Sequence, residues 1–309
     1  MKRIPRSQAL VTALDATLPP ALTVAAGERF AVGTEDASHG LLRFGDVAPT
    51  PESTPYARHA PGRANPVGGP VHVEGVRAGA CMRVDIASIE LADAGASWSR
   101  SAPPWLADWT ELAEPFAARV DHAGAEAVVS ERLRWPLAPM IGVLACAPEW
   151  EVRASSVGQG PWGGNLDVPE YRAGASVWLN AYHDGGLLFV GDVHGCQGYG
   201  ELIGTGDESR AEVVLSAQPD DRSHLPAPRV VTDDRLVALG IGRPLEHAAQ
   251  AAARHLLTWL VDEHGFSRRE AYLIVGLCPE FRLHVYQMTA IEDLRYVVGA
   301  SVTRAAVER

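Results

Sequence analysis

PVHVEGVRAGACMRVDIASIEL, residues 70–91, decides the fold class. Met82, Val84 and Ile86 alternate with polar neighbours, which is the period of a strand with one buried face. Just before that alternation, Ala-Gly supplies a residue that accepts positive φ, as a tight turn into a sheet requires. The same arrangement recurs in VAAGERFAV (24–32) and YRAGASVWL (171–179). Two readings stay open: three independent hairpin turns, or a duplicated β-unit. Further along, LLFVGDVHG (187–195) is an apolar run that predicts a buried strand. The first three-quarters of the chain therefore read as β-structure. Residues 92–135, with Pro103, Pro104, Pro115 and several tryptophans, read as irregular, forming a long insertion or a hairpin cover, and 219–235 as a linker.

Beyond 235 the pattern changes. RPLEHAAQAAARHLLTWLVDEHG places Pro244 in a first turn, puts Leu245, Ala248, Ala252, Leu256 and Leu260 on one face, and stops at Gly265. Ser267 and Glu270 have capping-box spacing and open a second helix, SRREAYLIVGL. The expected organisation is a β core over 1–235 and an α+β portion over 236–309.

Composition narrows the function. A net charge of −11 over 309 residues argues against a nucleic-acid partner. No apolar run approaches the roughly 20 residues that span a bilayer, and the N-terminal MKRIPRSQALVTALD makes a poor signal peptide. A cytoplasmic enzyme or binding protein is the expectation. Cys81, Cys146, Cys196 and Cys278 form no CxxC pair and read as reduced core residues, with Cys196 alone near interesting chemistry. Lys2 is the only lysine. Its isolation excludes Ser–Ser–Lys amidases, Glu–Lys–Cys nitrilases, Schiff-base enzymes and the P-loop, and no GxSxG elbow is present.

Asp192 and His194, two apart on a strand, project from one face. Together they suit a divalent cation such as Zn²⁺, and they suit a hydrogen-bonded structural pair equally well. Asp167 in GGNLD reads either as a site residue that glycines let the backbone approach, or as a turn aspartate. Glu201 follows Tyr199 by the same two-residue step. Near an activated water it is a natural general base; otherwise it closes a strand. Glu35, Asp36 and His39 in GTEDASHG offer three further ligand types. His59, His122, His247 and His255 have no partner at meaningful spacing and read as surface or helix-face residues.

At these residues the chain resembles the acetamidase/formamidase family. ANPVGGPVHVEG (64–75) looks like its Asn-Pro-x-x-Gly-Pro-Val entry, and APMIGVLACAP (138–148) is similar to its Pro-x-Ile-Gly-Val segment. GGNLD and GDVHGCQGYGE resemble its two most specific blocks, and WLVDEHGFSRREAYLIVGL its helical end. The resemblance implies a mainly β fold of swapped β-sandwich/barrel units with a C-terminal α/β portion, a homodimer, and hydrolysis of a small linear amide to carboxylate and ammonia. It also implies a divalent metal, with Zn expected and Ca the alternative, held by Asp36, Asp167, Asp192 and His194. Asn165 and Gln197 would orient the substrate amide and Glu201 would be the base. Tyr199 stands where the family usually has an acid, Trp162 where a histidine often precedes Gly-Gly-Asn, and Gly68 replaces a threonine. The two aromatics point to a larger, less polar substrate. A specialised amide or carbamate hydrolase and a non-catalytic binding protein are the alternatives.

Overall fold

The computed structural model describes residues 1–41, 64–99, 116–289 and 293–308. The fold is mainly antiparallel β, with a curled sheet and a few C-terminal helices. Its longest seam pairs Ala80–Ser99 antiparallel with Glu208–Ser223. Met82, Val84 and Ile86 are buried along that seam, as their alternation requires. Gly27, Gly79 and Gly174, in the three Ala-Gly turns, all have positive φ.

Leu188–His194 lies between Met140–Cys146 and Val67–Val73, antiparallel to both. All seven of its residues are buried, because apolar layers cover both faces. Met140–Cys146 pairs in turn with Gly163–Asn165. This arrangement brings the two glycine-rich blocks of the sequence side by side. In Val67–Val73, a Cβ on Gly68 would lie 2.4 Å from Val32 Cγ1, so the threonine of the family pattern has no room here.

Two expectations are corrected. Among the described residues, 92–135 is regular and follows the hairpin alternative: Ala80–Ser99 runs through its start, and Phe116–Ala123, Glu126–Val128 and Arg134–Pro136 form a three-stranded ribbon. The Ala-Gly-Ala-Ser run at 94–97 lies inside the strand Ala80–Ser99, and its residues are small. They are small because neighbours press close; a Cβ on Gly95 would lie 2.1 Å from Asp207 Oδ1. Pro103, Pro104 and Pro115 lie outside the described residues. Nor is 219–235 a linker. Its first part continues Glu208–Ser223, and Arg229–Val231 joins Ser176–Asn180 to Arg235–Gly242. The polar spelling of 219–223 belongs to a strand with one wet face.

Helix α1 (Leu245–His264) covers the sheet formed by Arg235–Gly242 and Tyr296–Thr303, and α2 (Arg268–Leu277) packs against α1. α1 buries Ala248, Ala252, Leu256, Trp259 and Leu260 and ends on Gly265 in the left-handed conformation. Ser267 and Glu270 form both bonds of the capping box. No helix among the described residues is long and apolar enough to cross a membrane.

Candidate metal centre

Five side chains converge where the two glycine-rich blocks meet. Asp167, His194 and Glu201 bring ligand atoms within 4.8 Å of one another, as do Asp192, His194 and Glu208. His194 is shared between the two groups. Asp192 and His194 end the central strand, Asp167 follows Gly163–Asn165, Glu201 sits in the loop after His194, and Glu208 opens its strand opposite His194. Gly142 makes this convergence possible. A Cβ there would lie 2.7 Å from both Asp167 Oδ1 and Asp192 Oδ2.

The backbone is strained at these same positions. Asp167, Asp192 and Glu201 have φ of 49°, 56° and 45°, and Asn65, which holds Asp192, has 55°. Each such conformation costs about 1–3 kcal/mol and persists only where surrounding structure enforces it.

One donor or acceptor outside the cluster orients each of four of these side chains. Asn65 Nδ2 donates to Asp192 Oδ2 at 2.7 Å, Gln287 Nε2 to Asp167 Oδ2, and the Gly206 N–H to Glu208 Oε1 at 3.0 Å. Gln197 fixes the histidine. Its Nε2 donates to the carbonyls of Asp167 and Tyr286, so its Oε1 must accept from His194 Nδ1–H at 2.8 Å. That assignment turns Nε2 toward the acids. Nε2 lies 3.1 Å from Glu208 Oε2 and 3.8 Å from Asp192 Oδ1, yet hydrogen-bonds neither. Asp167 Oδ1, Asp192 Oδ1, Glu208 Oε2 and His194 Nε2 are all buried without a hydrogen-bond partner.

Electrostatics repeats this pattern. Burial, then the charges of neighbouring acids, holds Asp167 well above the usual carboxylate range. Burial also pushes Glu201 and Glu208 up to about 8, against the opposing pull of His194. For His194 burial favours the neutral ring, but Glu208 and Asp192 outweigh it and raise its pKa. Protons therefore occupy the cluster when nothing else compensates four acids. A divalent cation replaces such protons, and carboxylates with one imidazole form a donor set that Zn²⁺ and Ca²⁺ both accept in part. The residues present fit a metal.

Other sequence candidates lie elsewhere. Asp36 belongs to neither group: its Oδ1 accepts from Ser38 and the Gly40 N–H, and it faces Arg210, which pairs with Glu35. Asn165 Nδ2 donates to the Ser156 carbonyl, while its Oδ1 is buried and unpartnered. Trp162 is a core residue whose indole lies where a Cβ of Gly160 would be. Tyr199 is 55% exposed and stacks on His284 and Tyr286.

Glu208 escaped sequence reading because GDESR spells a loop; the apolar alternation of Val213 and Leu215, extended backwards, lands on Ser209 and Asp207, so no period in the sequence selects Glu208. His122 is also corrected, from surface residue to buried ion pair with Asp207 at 2.9 Å. Its Nδ1 faces the Ala92 carbonyl at 2.6 Å, so both ring nitrogens meet acceptors. Burial opposes the charged ring, but Asp207 raises its pKa. Asp207 and Glu208 thus each face a histidine.

No family profile matches the chain, and no curated protein is significantly similar to it. Solved structures do match. An acetamidase from Bacillus halodurans has a TM-score of 0.88 at 27% identity, covering 99% of this chain and 98% of its own. An acetamidase from Yersinia enterocolitica gives 0.87 at 25%, covering 100% and 93%. A predicted acetamidase/formamidase from the thermophile Thermoanaerobacter tengcongensis gives 0.88 at 23%, covering 100% and 97%, and at that identity speaks for the fold. With the five sequence blocks in order and nearly the whole chain superposing on acetamidases at 25–27% identity, the solved structures support the resemblance to the acetamidase/formamidase family.

Proposed function

We propose that the protein hydrolyses a linear carboxamide to a carboxylate and ammonia at the cluster of Asp167, Asp192, His194, Glu201 and Glu208. One observation carries this reading: four buried, unpartnered ligand atoms aimed at one another from side chains that outer residues hold in place. Asp167, Asp192, His194 and Glu208 would hold a divalent cation, Zn²⁺ in the first instance. When bound, the cation supplies Lewis acidity toward a carbonyl oxygen. Glu201 takes a proton from the attacking water and returns it to the leaving nitrogen, so the carboxyl ends each turnover as it began. Burial favours proton uptake by this group, and the neighbouring cation favours its release.

The amide is larger than acetamide. Tyr199, Leu202 and Ile203, on the segment that carries Glu201, expose apolar surface. Each buried methylene contributes about 0.8 kcal/mol, so a few extra carbons raise kcat/KM by roughly one to two orders of magnitude. The test is ammonia release from a series running from formamide to hexanamide and phenylacetamide, with chelated and Zn²⁺-reloaded protein. Activity that needs metal and grows with chain length is expected. Glu201→Gln should lower kcat by about 10² or more while metal still binds. A folded Glu201→Gln protein with normal kcat removes Glu201 from the mechanism, and a preference for formamide removes the apolar surface from specificity.

A further inference from the structure

Asp167 is held by a chain of amides whose polarity is set outside the cluster of candidate ligands. Gln287 Nε2 donates to Asp167 Oδ2, and Gln287 Oε1 accepts from Gln159 Nε2 at 3.0 Å. The carbonyls of Asn165 at 2.9 Å and Arg295 at 3.2 Å also face Gln159 Nε2, so its two N–H groups serve three acceptors and one is shared. Gln159 Oε1 accepts from the Arg295 N–H at 2.8 Å. A backbone N–H can only donate and a backbone carbonyl can only accept, so the orientation of Gln159 is unambiguous. Gln159 then fixes Gln287, whose amide would otherwise turn either way. Gln159, Gln287 and Asp167 are 3%, 0% and 1% exposed, so water cannot replace a lost partner cheaply.

We propose that Gln159 is a positioning residue for Asp167, acting through Gln287. Without its N–H, Gln287 loses the contact that selects its orientation. A turned amide would face Asp167 Oδ2 with its own oxygen, two acceptors in opposition. Gln159 touches neither the cluster nor a substrate there; its effect reaches the metal only by keeping one carboxylate oxygen occupied and the other, Oδ1, free and inward. The inference rests on the metal-centre reading of that cluster.

Chelator competition with Zn²⁺ on the full-length, metal-stripped chain tests it, using wild type, Gln159→Met, Gln287→Met and the double variant. Partners of metal ligands typically change affinity by about 10–100-fold, and that loss is expected for each single variant. The double variant should bind no more weakly than Gln287→Met, because the relay is already broken there. Melting temperatures of the stripped proteins separate this from a structural role, which would lower them while leaving Zn²⁺ affinity in place. Gln159→Ala replaces Gln159→Met if the longer side chain prevents folding. Wild-type affinity in a folded Gln159 variant, or losses that simply add in the double, overturns the proposal. A wild-type chain that binds no Zn²⁺ overturns the metal-centre reading itself, and this inference with it.

Discussion

Two regions of the molecule treat buried charge oppositely. Arg229, 5% exposed, bonds Glu263 through both Nη1 and Nη2 at 2.5 and 3.0 Å. Its guanidinium lies 4.3 Å from the Trp259 ring centroid and 5.4 Å from that of Trp178. This node joins a strand of the β core to α1 with its charge matched. In the candidate metal centre four acids share one imidazole, and among the described residues no arginine or lysine pairs with any of them. Paired charge fastens the helix to the sheet. Unpaired charge leaves room for an occupant.

The largest expected stability effect tests the fastened side. Arg229→Ala removes a buried guanidinium with its two bonds to Glu263 and its packing on Trp178 and Trp259, and should cost about 1–3 kcal/mol, read by denaturant unfolding. Zn²⁺ affinity of the folded protein should not change. If affinity falls with stability, the two regions are not independent.

Asp192→Asn tests the other side with the opposite sign. In metal-free protein it removes one of several repelling acids, so stability at pH 8 should hold or rise while Zn²⁺ binding collapses. A destabilisation comparable to that of Arg229→Ala would mean the cluster is internally paired, and the contrast would disappear.

The pH dependence follows from the raised carboxyls. Glu201 and Glu208 bind protons more tightly folded, at about 8, than at the ordinary 4.5. Their contribution is complete below 4.5 and is lost as pH rises through 8. The melting temperature of metal-free protein should therefore fall between about pH 5 and 8. Added Zn²⁺ should raise it more at pH 8 than at pH 5, since ligands must lose protons to bind. A metal-free profile that rises across this window contradicts the electrostatics of the cluster.

How much of this was legible depended on whether the signal was local. Asp167, Asp192, His194 and Glu201 sit in glycine-rich blocks, and glycine marks places where backbone and side chains crowd. The three Ala-Gly turns and both helices were legible for the same reason: a turn, a cap and a 3.6-residue period are written within ten or twenty residues. The partners that orient the ligands were not. Asn65 and Gln287 carry no spacing pattern, and the sheet brings them to Asp192 and Asp167 from more than a hundred residues away; Gln159 is near Asp167 in sequence but acts through Gln287. Glu208 depends on the register of a long strand pair, which only the folded sheet specifies. Tyr199 and Trp162 were equally visible as departures from the family pattern, yet one is exposed and the other is core. Residue type alone could not separate them.

The smallest expected effect belongs to the fastened region. Ser267→Ala removes the cap of α2 and should cost about 1 kcal/mol, again without touching Zn²⁺ affinity. A larger loss would show that α2 contributes more to the docking of α1 than its cap accounts for.

Anomalous diffraction from a Zn²⁺-soaked crystal tests the central claim most directly. The account predicts a peak within coordination distance of His194 Nε2, with Asp167, Asp192 or Glu208 completing the ligand set, and no peak there in Asp192→Asn. A wild-type map with no peak at His194, or with Zn²⁺ bound only at surface acids, would contradict it.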